Sequence, residues 1–312
     1  MAGRKRRLEI YSQDFKIFEK MFSGSILEQT GTPVRHNLIM SLCIKSNLNL
    51  RAALALTAIL SVLRGACYAG TIILNPIADA FVAAGTSANN LSADNFGGGG
   101  ALVIGAPNLP NGGFQTVMQF NLSSAASALN TQFGVGQWAI QSVTLQLTAT
   151  PHGNAIYNPV AAGQFNVSLM QNNSWVEGTG TAGTPTTDGI SLNTLLSTYI
   201  NNAQDQALGT FSFNGGTSGA TMAPLNLTPG LLTDLQDGND LSLRLYAADN
   251  AISFLFSSRM DSSAANRPEL IIDANAVPEP GSLSLCAIGV AMLFVWRRMV
   301  IPGARSIAPR GP

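Results

Sequence analysis

Trp175-Val176-Glu177-Gly178 sets an indole beside a carboxylate in a stretch rich in Gly and Thr. Aromatic faces stack on the apolar C–H side of a sugar while carboxylates and amides take its hydroxyls. Trp175 and Glu177, with Arg244 and Arg259 as cationic complement, are therefore the candidate ligand-binding residues. The competing reading makes Trp175 a plug of the core and pairs Glu177 with Arg259 or Arg244. A second cluster, Asp234-Leu235-Gln236-Asp237-Gly238-Asn239-Asp240, is dense in oxygen ligands, and Asp234, Asp237 and Asp240 are candidate ligands for Ca²⁺. Its spacing is not that of an EF-hand, so a solvated turn ahead of a strand competes with the calcium reading. Asp94-Asn95 with Gly97 to Gly100 reads as a turn; no Lys accompanies it to hold a phosphate.

Catalytic motifs are sparse. His152 is the only histidine after residue 69 and no Gly-x-Ser-x-Gly elbow occurs, which leaves a Ser-His-Asp hydrolase without a frame. A pair of carboxylates could still serve a glycosidase, since that chemistry needs only two acids roughly 5 to 10 Å apart. The expectation is a protein without catalysis.

The elements that would position these residues read as strands. Short apolar or alternating runs separated by turn residues lie at Ala78–Val82, Ala101–Gly105, Thr116–Leu122, Ile140–Thr150 and Gln164–Gln171. Others lie at Leu208–Phe213, Leu241–Ala247, Ala251–Ser257 and Leu270–Asp273. Leu241-Ser242-Leu243-Arg244-Leu245 alternates cleanly, one face toward a core and one toward water. Short helices are expected at Ser123–Leu129, Leu192–Ile200 and Pro229–Leu235, the last capped by Thr228 with Pro229 in its first turn. No β-α-β alternation is present, so the fold class is all-β, an antiparallel, jelly-roll-like sandwich with few short helices.

The formal charge of zero conceals a segregation. Every lysine precedes residue 46, and between 70 and 276 only Arg244, Arg259 and Arg267 stand against twelve acids, a balance of −9. Such a domain repels nucleic acid and anionic lipid, and leaves cations or neutral glycans as easier partners. Cys43, Cys67 and Cys286 all fall outside 70–276, which excludes a disulfide framework or thiolate zinc site there.

Both ends carry processing signals. From Met40 a short basic region is followed by the apolar run Ala52–Leu63 and then small residues, the layout of a signal peptide spanning 40–69 with cleavage by signal peptidase after Ala69. A lipoprotein signal at 63–67 is the rival reading. Residues 1–39 fit neither signal nor domain and read as a non-native or disordered leader, with Met40 as the initiator. At the other end Pro278-Glu279-Pro280 precedes an apolar stretch, 282–296, then Arg297-Arg298 and the tail 299–312. Some fifteen apolar residues make a marginal span, and the cationic pair would stay on the cytoplasmic side. An ordinary helical anchor with a Pro-rich hinge competes with a sorting signal.

The layout at 277–298 resembles the PEP-CTERM sorting signal of Gram-negative bacteria that make exopolysaccharide. The resemblance implies export, a transient inner-membrane anchor and processing by an exosortase near Pro278-Glu279-Pro280. The order of patterns between 78 and 273 resembles the DNRLRE-type β-sandwich domain, related to the family 96 carbohydrate-binding modules. It is carried by Ala78-Asp79-Ala80-Phe81-Val82, Asn95-Phe96-Gly97, Met118-Gln119-Phe120, Trp175-Val176-Glu177-Gly178, Phe256-Ser257-Ser258-Arg259 and Arg267-Pro268-Glu269-Leu270. Gln119 stands where that family often has Arg, and Met260 where it often has Glu. The resemblance implies polysaccharide as a partner in a biofilm or exopolysaccharide matrix. The alternatives are a structural or adhesive surface protein without a defined glycan, and a polysaccharide-degrading enzyme.

Overall fold

The computed structural model describes residues 69–151 and 153–277, together with 289, 290, 292 and 293. Among these residues eleven strands form two antiparallel sheets. The smaller sheet has the order β1 (Ala69–Leu74), β11 (Glu269–Ala276), β5 (Trp138–Thr148), β8 (Ala220–Pro224). The larger runs β10 (Ser253–Ser257), β3 (Ala101–Gly105), β4 (Phe114–Asn121), β9 (Asp240–Ala247), β6 (Gly163–Met170), β7 (Gln206–Phe213), with β2 (Ala78–Ala83) paired to β4. The all-β expectation holds for these residues, and each of the nine expected strands is present with ends shifted by a few positions. Two strands were not expected, β1 and β8, and both are edges of the smaller sheet.

Alternation explains the layering. Leu241, Leu243 and Leu245 of β9 and Phe165, Val167 and Leu169 of β6 point inward, where they meet Val143, Leu145 and Leu147 of β5 and Leu270 and Ile272 of β11. Packing two apolar faces in this way removes from water the surface that drives folding. A ladder of rings runs through the core: Phe81 stacks on Phe96 at 4.7 Å between centroids, and Phe213 on Phe254 at 3.9 Å.

The helices are connectors. The first, α1 (Ser123–Phe133), buries Ala125, Ala126 and Leu129. The second, α2 (Leu192–Thr194), is capped by Ser191 and passes into a wide turn at Leu195–Tyr199 with π-helical bonding. In α3 (Pro229–Asp237), the Thr228 hydroxyl accepts the Leu231 N–H and Pro229 sits in the first turn, as its sequence requires. Gly238 ends α3 in the left-handed conformation, at φ 69°.

Among the described residues no helix is long and apolar enough to cross a membrane. The leader 1–39, the signal segment before Ala69, the motif Pro278-Glu279-Pro280, the pair Arg297-Arg298 and the tail 299–312 lie outside the described residues. So does the stretch 282–296, apart from four helical positions. Ala69 itself opens β1 opposite Asn275, so a chain cut after it keeps Gly70–Leu74 in register with β11.

Candidate functional site

The expected ligand-binding residues fall into two groups. Between β6 and β7 the chain makes a long connection, 171–205, that folds back over the outer face of the larger sheet. There the outward positions are apolar: Ala80 and Val82 of β2, Val117 of β4 and Met170 of β6 form a second cluster with Trp175, Ile190 and Leu195. Trp175 is only 4% exposed, and its indole N–H donates to the Ser242 hydroxyl at 2.9 Å. The surface-stacking role expected of Trp175 is thus corrected: the ring seals the connection onto the sheet, where it loses more water-exposed apolar area than a solvent-facing platform would allow.

Two residues further on, Glu177 meets Arg259. The Arg259 Nε–H donates to Glu177 Oε1 at 2.7 Å and a second bond joins Nη2 to Oε2, a bidentate ion pair. Beneath it lies Asp79, with no exposed surface. Its backbone N–H donates to Glu177 Oε1 at 2.8 Å, and its Oδ2 accepts the Arg259 backbone N–H at 2.6 Å. Its Oδ1 has no hydrogen-bond partner among the described residues. Burial, reinforced by the neighbouring Glu177 charge, pushes the Asp79 carboxyl up to about 7, although the Arg259 N–H and guanidinium oppose the shift. The bond to Glu177 raises Arg259 further above its ordinary value. Asp79, Glu177 and Arg259 thus form a clasp between β2, the 171–205 connection and the end of β10. Of the pairings weighed for Glu177, this is the one with Arg259, not Arg244.

Asn95 completes the closure. Its Nδ2 donates to the carbonyls of Glu177 at 2.7 Å and Ile190 at 2.8 Å, while its Oδ1 accepts the N–H groups of Gly97 and Gly180, each at 3.2 Å. Gly178 must be glycine: its φ is +78° and a Cβ there would stand 2.2 Å from Asn95 Oδ1. The sequence marked Asn95 as a turn residue; its role as a hub is set by contacts 82 to 95 positions away.

Arg244 belongs elsewhere, on the part of the larger sheet's outer face that presents polar side chains. Its guanidinium carbon lies 4.2 Å from the centre of the Tyr246 ring, and its Nε–H donates to Gln115 Oε1 at 2.7 Å. Burial pulls the Arg244 guanidinium below its ordinary value, while Tyr246 and Asp205 favour its charge. Alongside, the Thr210 hydroxyl donates to Asn166 Oδ1 at 2.7 Å across the β6–β7 pair. Tyr246 also borders an apolar groove of about 230 Å³ with Phe114, Leu192 and Leu196. Tyr246 and Gln115 were missed from the sequence; their signal is phase, because each occupies an outward position of a strand whose alternate residues are core.

Asp234, Asp237 and Asp240, the expected calcium ligands, are not gathered into one group. Among the described residues no group of three or more His, Cys, Asp or Glu side chains could hold a metal ion. Asp234 and Asp237 sit on α3, Asp240 begins β9, and the left-handed Gly238 reverses the chain between them. Asp234 Oδ1 accepts instead from Asn239 Nδ2 at 3.4 Å, so the segment is a helix stop. His152 lies outside the described residues.

No family model matches the chain, and no curated protein matches it.

Proposed function

We propose that the protein is exported to the cell envelope and binds polysaccharide there without chemical turnover, through the polar outer face of the larger sheet. The observation that carries this reading is the Tyr246–Arg244–Gln115 cluster: an aromatic ring, the guanidinium that lies over it and an amide bonded to that guanidinium, together on the outer face of the sheet. Such a set combines an aromatic ring with hydroxyl partners, the guanidinium and the amide, on one sheet face, as sugar recognition requires. Export rests on the signal segment 40–69 and on the PEP-CTERM-like ending, which would recruit signal peptidase and an exosortase and leave the chain transiently anchored by 282–296. The jelly-roll-like, DNRLRE-type identity of the sandwich belongs to the same reading. Retention of the full chain on immobilised polysaccharides, wild type against Tyr246→Ala, tests the binding. Retention that the variant loses supports it; no retention on any polymer, with the fold intact, replaces it with a structural surface protein.

A further inference from the structure

A second surface feature lies at the far end of the 171–205 connection. Gln171, Asn172, Asn173 and Ser174, leaving β6, face Thr198, Tyr199, Asn201 and Gln204, approaching β7, across an open groove of about 590 Å³. That volume is in the range of ligand sites, roughly 300 to 1,000 Å³. None of its lining residues is charged: five are amides, two are aliphatic hydroxyls and one is a phenol. Amides donate and accept at once, as sugar hydroxyls do, so the lining matches a ligand that is dense in hydroxyls and carries no charge.

The groove is built to keep its shape. Asp205 ties the two walls together, its Oδ1 accepting the Gln171 N–H at 3.1 Å and its Oδ2 the Asn201 N–H at 3.0 Å. The Asn173 carbonyl accepts from Gln119 Nε2 at 2.8 Å, and Asn173 Nδ2 donates to the Asp240 carbonyl at 2.7 Å. Trp175, the next residue but one, pins that wall to the sheet. Tyr199 comes off the π-helical turn Leu195–Tyr199 and rests against the same apolar cluster. Widened turns of this kind recur at functional sites.

Polar capacity is left over inside this frame. Asn173 Oδ1 is buried and has no partner among the described residues. The side chain of Gln171 makes no hydrogen bond there either, and Gln204 uses only its Oε1, which accepts from Asn201 Nδ2 at 2.9 Å. The −9 balance of the domain disfavours an anionic occupant.

We propose that the groove between 171–174 and 198–204 is a second binding site, separate from the Tyr246 strip, and that it takes a segment of a neutral, hydroxyl-rich glycan. The inference goes beyond the proposed function, because it assigns another site and a charge class of ligand. Its test is titration of the full chain with a neutral β-glucan, a galactomannan and polygalacturonate, using wild type, Gln171→Ala/Gln204→Ala, Tyr199→Phe and Tyr246→Ala, each checked for an unchanged thermal midpoint. Gln171 and Gln204 lie at the surface, so their removal is compatible with folding. The expected result is binding of a neutral polymer that weakens about tenfold in Gln171→Ala/Gln204→Ala, through loss of two hydrogen bonds. Binding that weakens only in Tyr246→Ala overturns the groove and leaves the proposed function standing. Groove-dependent binding of polygalacturonate in preference to the neutral polymers overturns the neutral class. Failure to bind any of the three overturns the groove and the polysaccharide reading together.

Discussion

At Glu177 the long connection between β6 and β7 spends its polar groups on the protein itself; on the same connection the Gln171 amide and the Gln204 amide nitrogen remain uncommitted. The clasp joins a bidentate ion pair to a buried carboxylate and is underlain by the Asn95 hub. The groove and the Tyr246 strip use neutral amides, hydroxyls and an arginine whose Nε bond goes to an amide rather than to a carboxylate. Charged residues in the interior of a protein are held by partners because solitude there costs several kcal/mol. Residues that meet a ligand must instead retain capacity after folding. The most reactive-looking residues of the chain, Trp175, Glu177 and Arg259, therefore serve the fold, while the plainer ones are those we propose for binding.

The comparison can be broken most sharply at Trp175. Trp175→Ala removes a buried ring and its bond to Ser242, and should cost about 4 kcal/mol in denaturant unfolding. A loss below about 1 kcal/mol would mean that the indole is not the seal described. Asp79 should show in the pH dependence. Its carboxyl is raised in the folded chain to about 7 from 3.8, so the folded state holds a proton that the unfolded state releases. Its contribution to stability is thus greatest below pH 4, falls by a few kcal/mol as pH rises from about 4 to about 7, and is level above that. Asp79→Asn should flatten this decline, since an amide oxygen still accepts the Arg259 N–H; an unchanged pH profile would refute the assignment. Glu177→Gln keeps the shape but removes the charge, and is expected to lower stability by about 2 kcal/mol. On the binding side the expected stability changes are small: Tyr246→Ala should shift unfolding by under about 1 kcal/mol while weakening polysaccharide retention. The smallest effect is reserved for Asp234→Asn with Asp237→Asn, where calcium or chelator should move the thermal midpoint of neither variant nor wild type.

Much of this was legible in the sequence, and the misses have physical causes. Alternation located β9 because Leu241, Leu243 and Leu245 face one core and Ser242, Arg244 and Tyr246 the other side. It failed for β1 and β8, edge strands with one neighbour each: β8 ends in Pro224, and β1 begins with the small residues Ala69 and Gly70. The start of α3 was readable from Thr228 and Pro229, but its last turn was not, because the aspartates at 234–240 also read as a turn or a cation loop. The burial of Trp175 depended on a cover laid over the sheet by residues far along the chain. One signal did announce that cover: β2 reads Ala-Phe-Val-Ala with apolar residues in both phases, and β4 pairs Val117 with Met118, as strands do when both faces are buried. The groove carried no comparable mark, since Asn, Gln, Ser and Thr are also the residues of ordinary loops.

The most direct test of the division between clasp and binding face is a paired measurement on Tyr246→Ala and wild type: polysaccharide affinity by titration, and the unfolding midpoint of the same preparations. The expected result is affinity reduced at least about tenfold with the midpoint nearly unmoved. Affinity equal in the two proteins, or a midpoint that collapses with it, would contradict the account, placing Tyr246 among the residues that hold the fold rather than those that meet a ligand.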